Sequence, residues 1–298
     1  MEYNRNFKLK PKWITGFVDA EGCFTTSIYK SNKLKIGWRI SPIFQIKLHK
    51  RDIDLLKNIK SFFNCGNVYN YKDGSIRFIV QDVNSINNII IPHFEKYPLI
   101  TQKQGDFMLW KNIVELINKR EHIIKEGLIK IINIKASLNK GLPKRLNTYF
   151  SNIIMFKRPI INLDSRIDSN WFAGFFSGEG CFYIRISKSN AINLSIQIGQ
   201  HSRDKELIYN LINKLNCGYV REELHKNFTK FIVSKFEDIH TKIIPLFNKY
   251  NIEGTKYMDF QDFCKAAELI NKKAHLTLEG LEKIREIKFG MNKGRLKL

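Results

Sequence analysis

No stretch of this 298-residue chain holds about 18 consecutive apolar residues, and no charged-then-apolar leader opens it. Neither a membrane-spanning helix nor a cleavable export signal is expected. Cysteine is scarce: five residues, an odd number, with no C-x-x-C pair, which argues against a disulfide framework and a zinc site and points to a reducing compartment. Acids are also short. Against 28 Asp and Glu stand 50 Lys and Arg, a formal charge of +22 and a pI near 9.7. Such an excess of one sign repels itself unless a polyanion shares the surface, so nucleic acid is the expected partner and no membrane is.

What the chain does have is enough apolar content, 43%, to bury a core, together with abundant Ile, Asn and Lys in stretches such as "SNIIMFKRPIINL". That usage is typical of an AT-rich genome and points to an organelle. It also has an internal repeat. "WITGFVDAEGCF" at 13–24 returns as "WFAGFFSGEGCF" at 171–182, with Glu21 and Glu179 in register at an offset of 158. Downstream, Gln45/Gln197 and Asn64-Cys65-Gly66/Asn216-Cys217-Gly218 are 152 apart. From there Pro92/Pro245, Lys103/Lys256, Asp106/Asp259, His122/His275 and "NKG" at 139 and 292 keep 153. A period this long suits a duplicated domain with pseudo-twofold symmetry in one chain. The reading is an N-terminal half at 1–141, a linker at 142–170 containing Pro143 and Pro159, and a C-terminal half at 171–298.

Each half parses as α-β-β-α-β-β-α with further helix to its end: a mixed α/β, α+β architecture with helices on one face of an antiparallel sheet. Period-two alternation buries Phe24, Thr26 and Ile28 and leaves the opposite face polar and basic. That face offers Thr25, Ser27, Tyr29, Ser31, Lys33, Arg39, Ser41, Gln45, Lys47, Asn67, Tyr69, Tyr71 and Arg77. The second half offers Tyr183, Arg185, Ser187, Ser189, Asn193, Ser195, Gln197, Tyr219, Arg221, Glu223, His225 and Lys230. Arg can read guanine, Gln and Asn adenine, and Glu the amino group of cytosine, so the mixture suits base readout. Loop lysines such as Lys30, Lys35, Lys72, Lys188 and Lys226 suit phosphates.

Of the two acids in the first motif, only Glu21 has an acidic counterpart, because Ser177 stands opposite Asp19. Small residues, Gly16 and Ala20 or Gly174 and Gly178, would let the two motif helices pack side by side and bring both glutamates to one end. Carboxylates at close range resist ionising unless a cation joins them, and oxygen ligands without nearby His or Cys favour Mg²⁺ over zinc. Beside a nucleic-acid sheet such a pair supports metal-assisted phosphodiester hydrolysis.

"WITGFVDAEG" and "WFAGFFSGEG" resemble the paired motifs of the LAGLIDADG homing endonucleases, and the flanks "HFEKYPLITQKQGDF" and "KIIPLFNKYNIEGTKYMDF" are most like the single-chain, I-OnuI-like members of fungal mitochondrial introns. The resemblance implies a monomer whose two sheets form a saddle on double-stranded DNA and which cuts both strands, leaving short 3′ overhangs and promoting mobility of its intron. It implies metal ligands at Glu21, Glu179, Ala20 and Gly178, and catalytic roles for Glu21, Glu179, Gln45, Gln197, Lys103 and Lys256. It further implies Mg²⁺ as cofactor, with Mn²⁺ substituting and Ca²⁺ supporting binding without cleavage, and a mitochondrial location. The alternatives are an intron-RNA maturase on the same fold and a non-cleaving DNA-binding protein.

Overall fold

A computed structural model describes residues 8–150, 152–159, 161, 167–292 and 294–296. The described residues within 21–162 form one compact unit, and those within 1–20 and 163–298 the other. The chain begins with α1 (Pro11–Glu21), β1 (Gly22–Lys30), β2 (Trp38–His49), α2 (Ile53–Phe63), β3 (Asn67–Asn70) and β4 (Ser75–Val80). A helical run then ends in α3 (Ile91–Lys96), followed by α4 (Lys103–Asn118) and α5 (Lys125–Ser137). The pattern returns as α6 (Ser169–Glu179), β5 (Gly180–Ile186), β6 (Ile192–His201), α7 (Lys205–Leu215), β7 (Tyr219–Glu223), β8 (Phe228–Val233), α8 (Ile244–Lys249), α9 (Lys256–Asn271) and α10 (Leu278–Phe289). The α+β order read from the sequence is present in both copies. No helix among the described residues is long and apolar enough to cross a membrane.

Each copy builds a four-stranded antiparallel sheet, ordered β1-β2-β4-β3 and β5-β6-β8-β7. Burial alternates strictly along β1, so Phe24, Thr26 and Ile28 enter the core while Thr25, Ser27 and Tyr29 face away from it. The core of the first unit is aromatic. Phe24 touches Phe44, Phe94, Phe107 and Trp110 with ring centroids 5.2–5.3 Å apart. In the second, Phe182 makes the matching contacts to Phe247, Phe260 and Phe263 and adds one to Phe176. Each such ring contributes roughly 1.5–3 kcal/mol through burial.

The repeated Asn-Cys-Gly is a helix stop. α2 buries Leu55, Leu56, Ile59 and Phe63 on one face and ends at Asn64, φ 50, followed by Gly66, φ 72. Asn216 and Gly218 end α7 with φ 48 and 83. A Cβ on Gly66 would stand 2.7 Å from the Ile79 carbonyl oxygen, and one on Gly218 would stand 2.8 Å from that of Ile232, so neither position admits a side chain. The repeated proline is also placed for a reason: a π turn, Ile86–Ile90 or Ile239–Ile243, precedes Pro92 and Pro245, whose nitrogens cannot donate to the turn behind them.

The segment after α5 is not a free tether. Leu146 is buried, Arg145 donates to the Ile28 carbonyl, Tyr149 packs on Trp38, and Ser137 donates to the Phe156 carbonyl.

Candidate nucleic-acid-cleaving site

α1, up to Ala20, packs against α6, and two glycines make the approach possible. A Cβ on Gly16 would sit 1.9 Å from the Trp171 carbonyl oxygen, and one on Gly174 would sit 2.0 Å from that of Trp13. The contact is reciprocal, as expected for a pseudo-twofold crossing of helices with the same sequence pattern. Each helix ends five residues beyond its glycine, at Glu21 or Glu179. Asp19 is 96% buried and accepts the Trp171 Nε1–H at 2.7 Å, so its carboxylate is spent on packing. Its counterpart Ser177 donates to the Ala173 carbonyl and accepts the Glu253 N–H.

The surroundings of Glu179 are built in three steps. The helix ends there, which directs the negative end of its dipole toward the glutamate. β5 follows directly, and Gln197 lies opposite Cys181 in the β5–β6 register, two residues from Glu179. Lys256, the first residue of α9, donates its ammonium to the carbonyls of Phe176 at 3.2 Å and Gly178 at 2.6 Å. Glu179, Gln197 and Lys256 therefore lie near one another around the end of α6. In the other unit, Gln45 lies opposite Cys23, two residues from Glu21, and Lys103 occupies the first position of α4 as Lys256 does that of α9.

No cluster of three or more His, Cys, Asp or Glu that could hold a metal exists among the described residues. A hard cation held by one or two carboxylates, waters and substrate phosphate needs none. The residues fit such an ion: the α6 carbonyl end already holds a cation, the Lys256 ammonium, beside Glu179, and every donor is oxygen. Gly178, whose carbonyl the family resemblance gives to metal, has that oxygen in contact with Lys256.

The polar face is laid out in cross-strand pairs. Tyr29 faces Arg39, Ser27 faces Ser41, and Lys47 and Tyr69 flank Arg77. Arg185 faces Asn193 and Arg221 faces Lys230. Thr25, Asn67 and Tyr219 also stand on it, half-buried or exposed. Several placements differ from the strand-parity reading. Ser31, Lys33, Ser187 and Ser189 lie in the loops beyond β1 and β5, because the chain has already turned: Ser31 N–H bonds the Gly37 carbonyl and Ser187 that of Ala191. Tyr71 lies just past β3, where the Arg77 guanidinium covers its ring at 4.2 Å. His225 sits in the one-turn helix Leu224–Lys226. Ser195 is buried, opposite Tyr183 and bonded by the Gln197 amide, so its face is right but its surface is covered. Glu223 is held by Lys230 at 2.7 Å and Lys226 at 3.1 Å, and their hydrogen bonds pull its carboxyl down to about 2. Tyr183 is pushed up to about 12 by its hydrogen bond with Cys181 and by burial.

Seven further residues, given no role from the sequence, support the site. Lys135 is buried and donates to the Thr25 hydroxyl at 3.1 Å, and burial lowers its pKa. Asp106 and Asp259 each bind an asparagine, Asn139 or Asn292, and an arginine, Arg158 or Arg295. The shared offsets of Asp106/Asp259 and of "NKG" were the available signal; Arg158 and Arg295 share no offset and left none.

The helix pair and the duplicated sheets are those of a LAGLIDADG protein, and the LAGLIDADG endonuclease family model matches residues 14–114 and 172–267. The chain belongs to that family. It is 46% identical over 94% of its length to "Probable intron-encoded endonuclease 2" of Neurospora crassa, and 33% identical over 95% to "Probable intron-encoded endonuclease 3" of the same fungus. It spans 64% and 54% of the length of those two relatives. Among solved structures, the I-SmaMI LAGLIDADG homing endonuclease bound to cleaved DNA superposes with a TM-score of 0.94 at 40% identity, covering 98% of this chain and 100% of that one. I-SmaMI has also been solved on uncleaved target in the presence of calcium ions, with a TM-score of 0.92 and 40% identity over 96% of this chain and 99% of that one.

Proposed function

We propose that this chain is a monomeric, metal-dependent, site-specific endonuclease that cuts both strands of a DNA target, leaves short 3′ overhangs and promotes mobility of its host intron in a fungal mitochondrion. The observation that carries the reading is the duplicated half-site: a glutamate ending a helix, a glutamine two residues away across the sheet, and a lysine opening a later helix, with the Lys256 ammonium seated at the helix end. The intron-encoded endonuclease relatives and the DNA-bound solved neighbours support it. The halves are taken as 1–141 and 171–298, joined by 142–170.

Glu21 with the Ala20 carbonyl, and Glu179 with the Gly178 carbonyl, would each hold Mg²⁺. When bound, the ion polarises the scissile phosphate and lowers the pKa of its water. Lys256 and Lys103 supply a fixed positive charge beside the developing phosphorane charge, and Gln197 and Gln45 orient water through their amides. The polar strand faces read base edges while loop lysines grip phosphates. The pairing of Glu223 with Lys230 and Lys226 neutralises a carboxylate that would otherwise repel the backbone.

Incubation with a randomised duplex library, once with Mg²⁺ and once with Ca²⁺, tests the proposal. Specific cuts with Mg²⁺ and selective retention with Ca²⁺ are expected. Retention without cutting in both ions would make the chain a binding protein, and no selection of DNA at all would leave intron RNA as the polyanion to try.

A further inference from the structure

Asp106 and Asp259 stand three residues into the helices that begin at Lys103 and Lys256, and both are buried. Each uses one oxygen in the same way. Asp106 Oδ1 accepts the Asn139 backbone N–H at 2.9 Å, and Asp259 Oδ1 accepts that of Asn292 at 3.0 Å. Each asparagine then donates its side-chain amide to the strand that follows the glutamate: Asn139 to the Phe24 carbonyl at 2.7 Å and Asn292 to the Phe182 carbonyl at 3.0 Å. The asparagines share a left-handed backbone, φ 53 and 54. In both halves a connected path runs from the lysine helix through a carboxylate and an asparagine to a residue three places after the glutamate.

A buried carboxylate is costly unless hydrogen bonds or a cation compensate it, and for the cation the halves here use different parts of the chain. Arg158, from the segment joining the halves, pairs with Asp106 at 2.8 Å and donates to the carbonyls of Gln102 at 3.0 Å and Ser137 at 3.3 Å. Gln102 is the residue before Lys103. Arg295, from the segment after α10, donates to Asp259 from both Nε and Nη2 and also reaches Asp262. The 153-residue offset does not relate the two arginines, so the repeat supplies the acid and the asparagine but not the cation. Packing alone would be served by any apolar filling of the same volume; a forked cation fixes a direction, in one half by tying Asp106 to the Gln102 backbone beside Lys103, in the other by bridging Asp259 and Asp262 along the helix that Lys256 opens.

We propose that Arg158 and Arg295 are positioning residues that set Lys103 and Lys256, each against the glutamate strand of its own half, so that cutting of one DNA strand depends on the joining segment and cutting of the other on the C-terminal tail. The inference rests on the nuclease reading given above. Arg158→Gln and Arg295→Gln, each with its Lys counterpart, are tested on a supercoiled plasmid carrying the selected target, with the two strands followed separately. Each Gln variant slows one strand roughly 10- to 100-fold, the effect of a misplaced catalytic group, leaves the other strand within about threefold, and stops the plasmid at nicked circle. The two variants favour opposite strands, and Lys restores part of the rate because it returns the charge without the fork. Lysine labelling read by mass spectrometry, without DNA or metal, gives a second readout: Lys256 becomes more reactive in Arg295→Gln alone and Lys103 in Arg158→Gln alone. Equal slowing of both strands, or unchanged labelling of Lys103 and Lys256 in variants that have merely lost thermal stability, overturns the proposal. If the unsubstituted protein cuts no DNA, the nuclease reading fails while the labelling still decides the positioning role. Should a Gln variant not fold, the Lys variant carries the same comparison.

Discussion

The half bearing Glu21 and the half bearing Glu179 are alike where chemistry would happen and unlike at several positions around it and on the polar face. Both place glutamine opposite the cysteine two residues beyond the glutamate, and both open a helix with the lysine. Yet behind the helix pair one half holds a buried aspartate, Asp19, and the other a serine, Ser177. On the polar face, Thr25 is held by Lys135 in one half, while Tyr183 stands beside Cys181 in the other. Arg77 lies on Tyr71 in one, and Lys230 is paired to Glu223 in the other. On the proposed reading, a symmetric reaction on two strands would constrain the first group of positions equally, and a target without symmetry would leave the second group free to diverge. Duplication followed by divergence at the reading face suits a single chain that meets a non-palindromic site.

The largest effect would come from breaking the shared part. Glu179→Gln and Glu21→Gln each lower cleavage at least about 10³-fold, while Ca²⁺-supported target binding stays within about threefold, measured by filter retention beside cleavage assays. Similar losses in both variants support equivalent half-sites; loss of binding would make the glutamates structural. Next comes the helix crossing. Gly174→Ala drives a methyl to 2.0 Å from the Trp13 carbonyl oxygen and should cost about 3 kcal/mol or more, read as a lowered denaturation midpoint, with Gly16→Ala similar because the contact is reciprocal.

The halves also differ at His93 and its counterpart Leu246. His93, among Phe62, Phe63, Phe94 and Tyr97, is held down to about 4 by burial, whereas Leu246 fills the equivalent place. Because its folded pKa lies below the unfolded value of about 6.5, the unfolded chain binds more protons between those values. Its contribution is complete above about pH 6.5 and is lost as pH falls toward 4, up to about 3 kcal/mol. His93→Leu should flatten that acid limb in pH-dependent melting; an unchanged limb would place acid sensitivity elsewhere. The smallest effect concerns the reading face. Glu223→Gln releases Lys226 and Lys230 toward phosphate, so non-specific DNA affinity rises by about tenfold and its log–log salt slope steepens by about 1–2 in a salt titration.

Much of this was legible in the sequence because repetition sorts residues. Matching Trp13 to Trp171 set the helices in register, and symmetry rejected Asp19, whose carboxylate the Trp171 indole occupies. Strand parity was legible from Phe24, Thr26 and Ile28, since a half-buried strand must alternate. Where a strand stops is decided by the returning chain, so Ser31 and Ser187 read as strand and are loop. Ser195 shows the same limit on burial: parity gives its face, but Tyr183 and Gln197 decide whether solvent reaches it. Arg158 and Arg295 were illegible because each reaches its aspartate across a distance along the chain that no local pattern marks.

Two equivalent half-sites acting on one duplex, as proposed, would show in the products when both strands of the selected target are mapped at single-nucleotide resolution after incubation with Mg²⁺. One cut in each strand is expected, at a fixed stagger leaving short 3′ overhangs, both abolished when Mg²⁺ is replaced by Ca²⁺. A cut confined to one strand, or metal-independent breaks scattered along the duplex, would contradict the proposal.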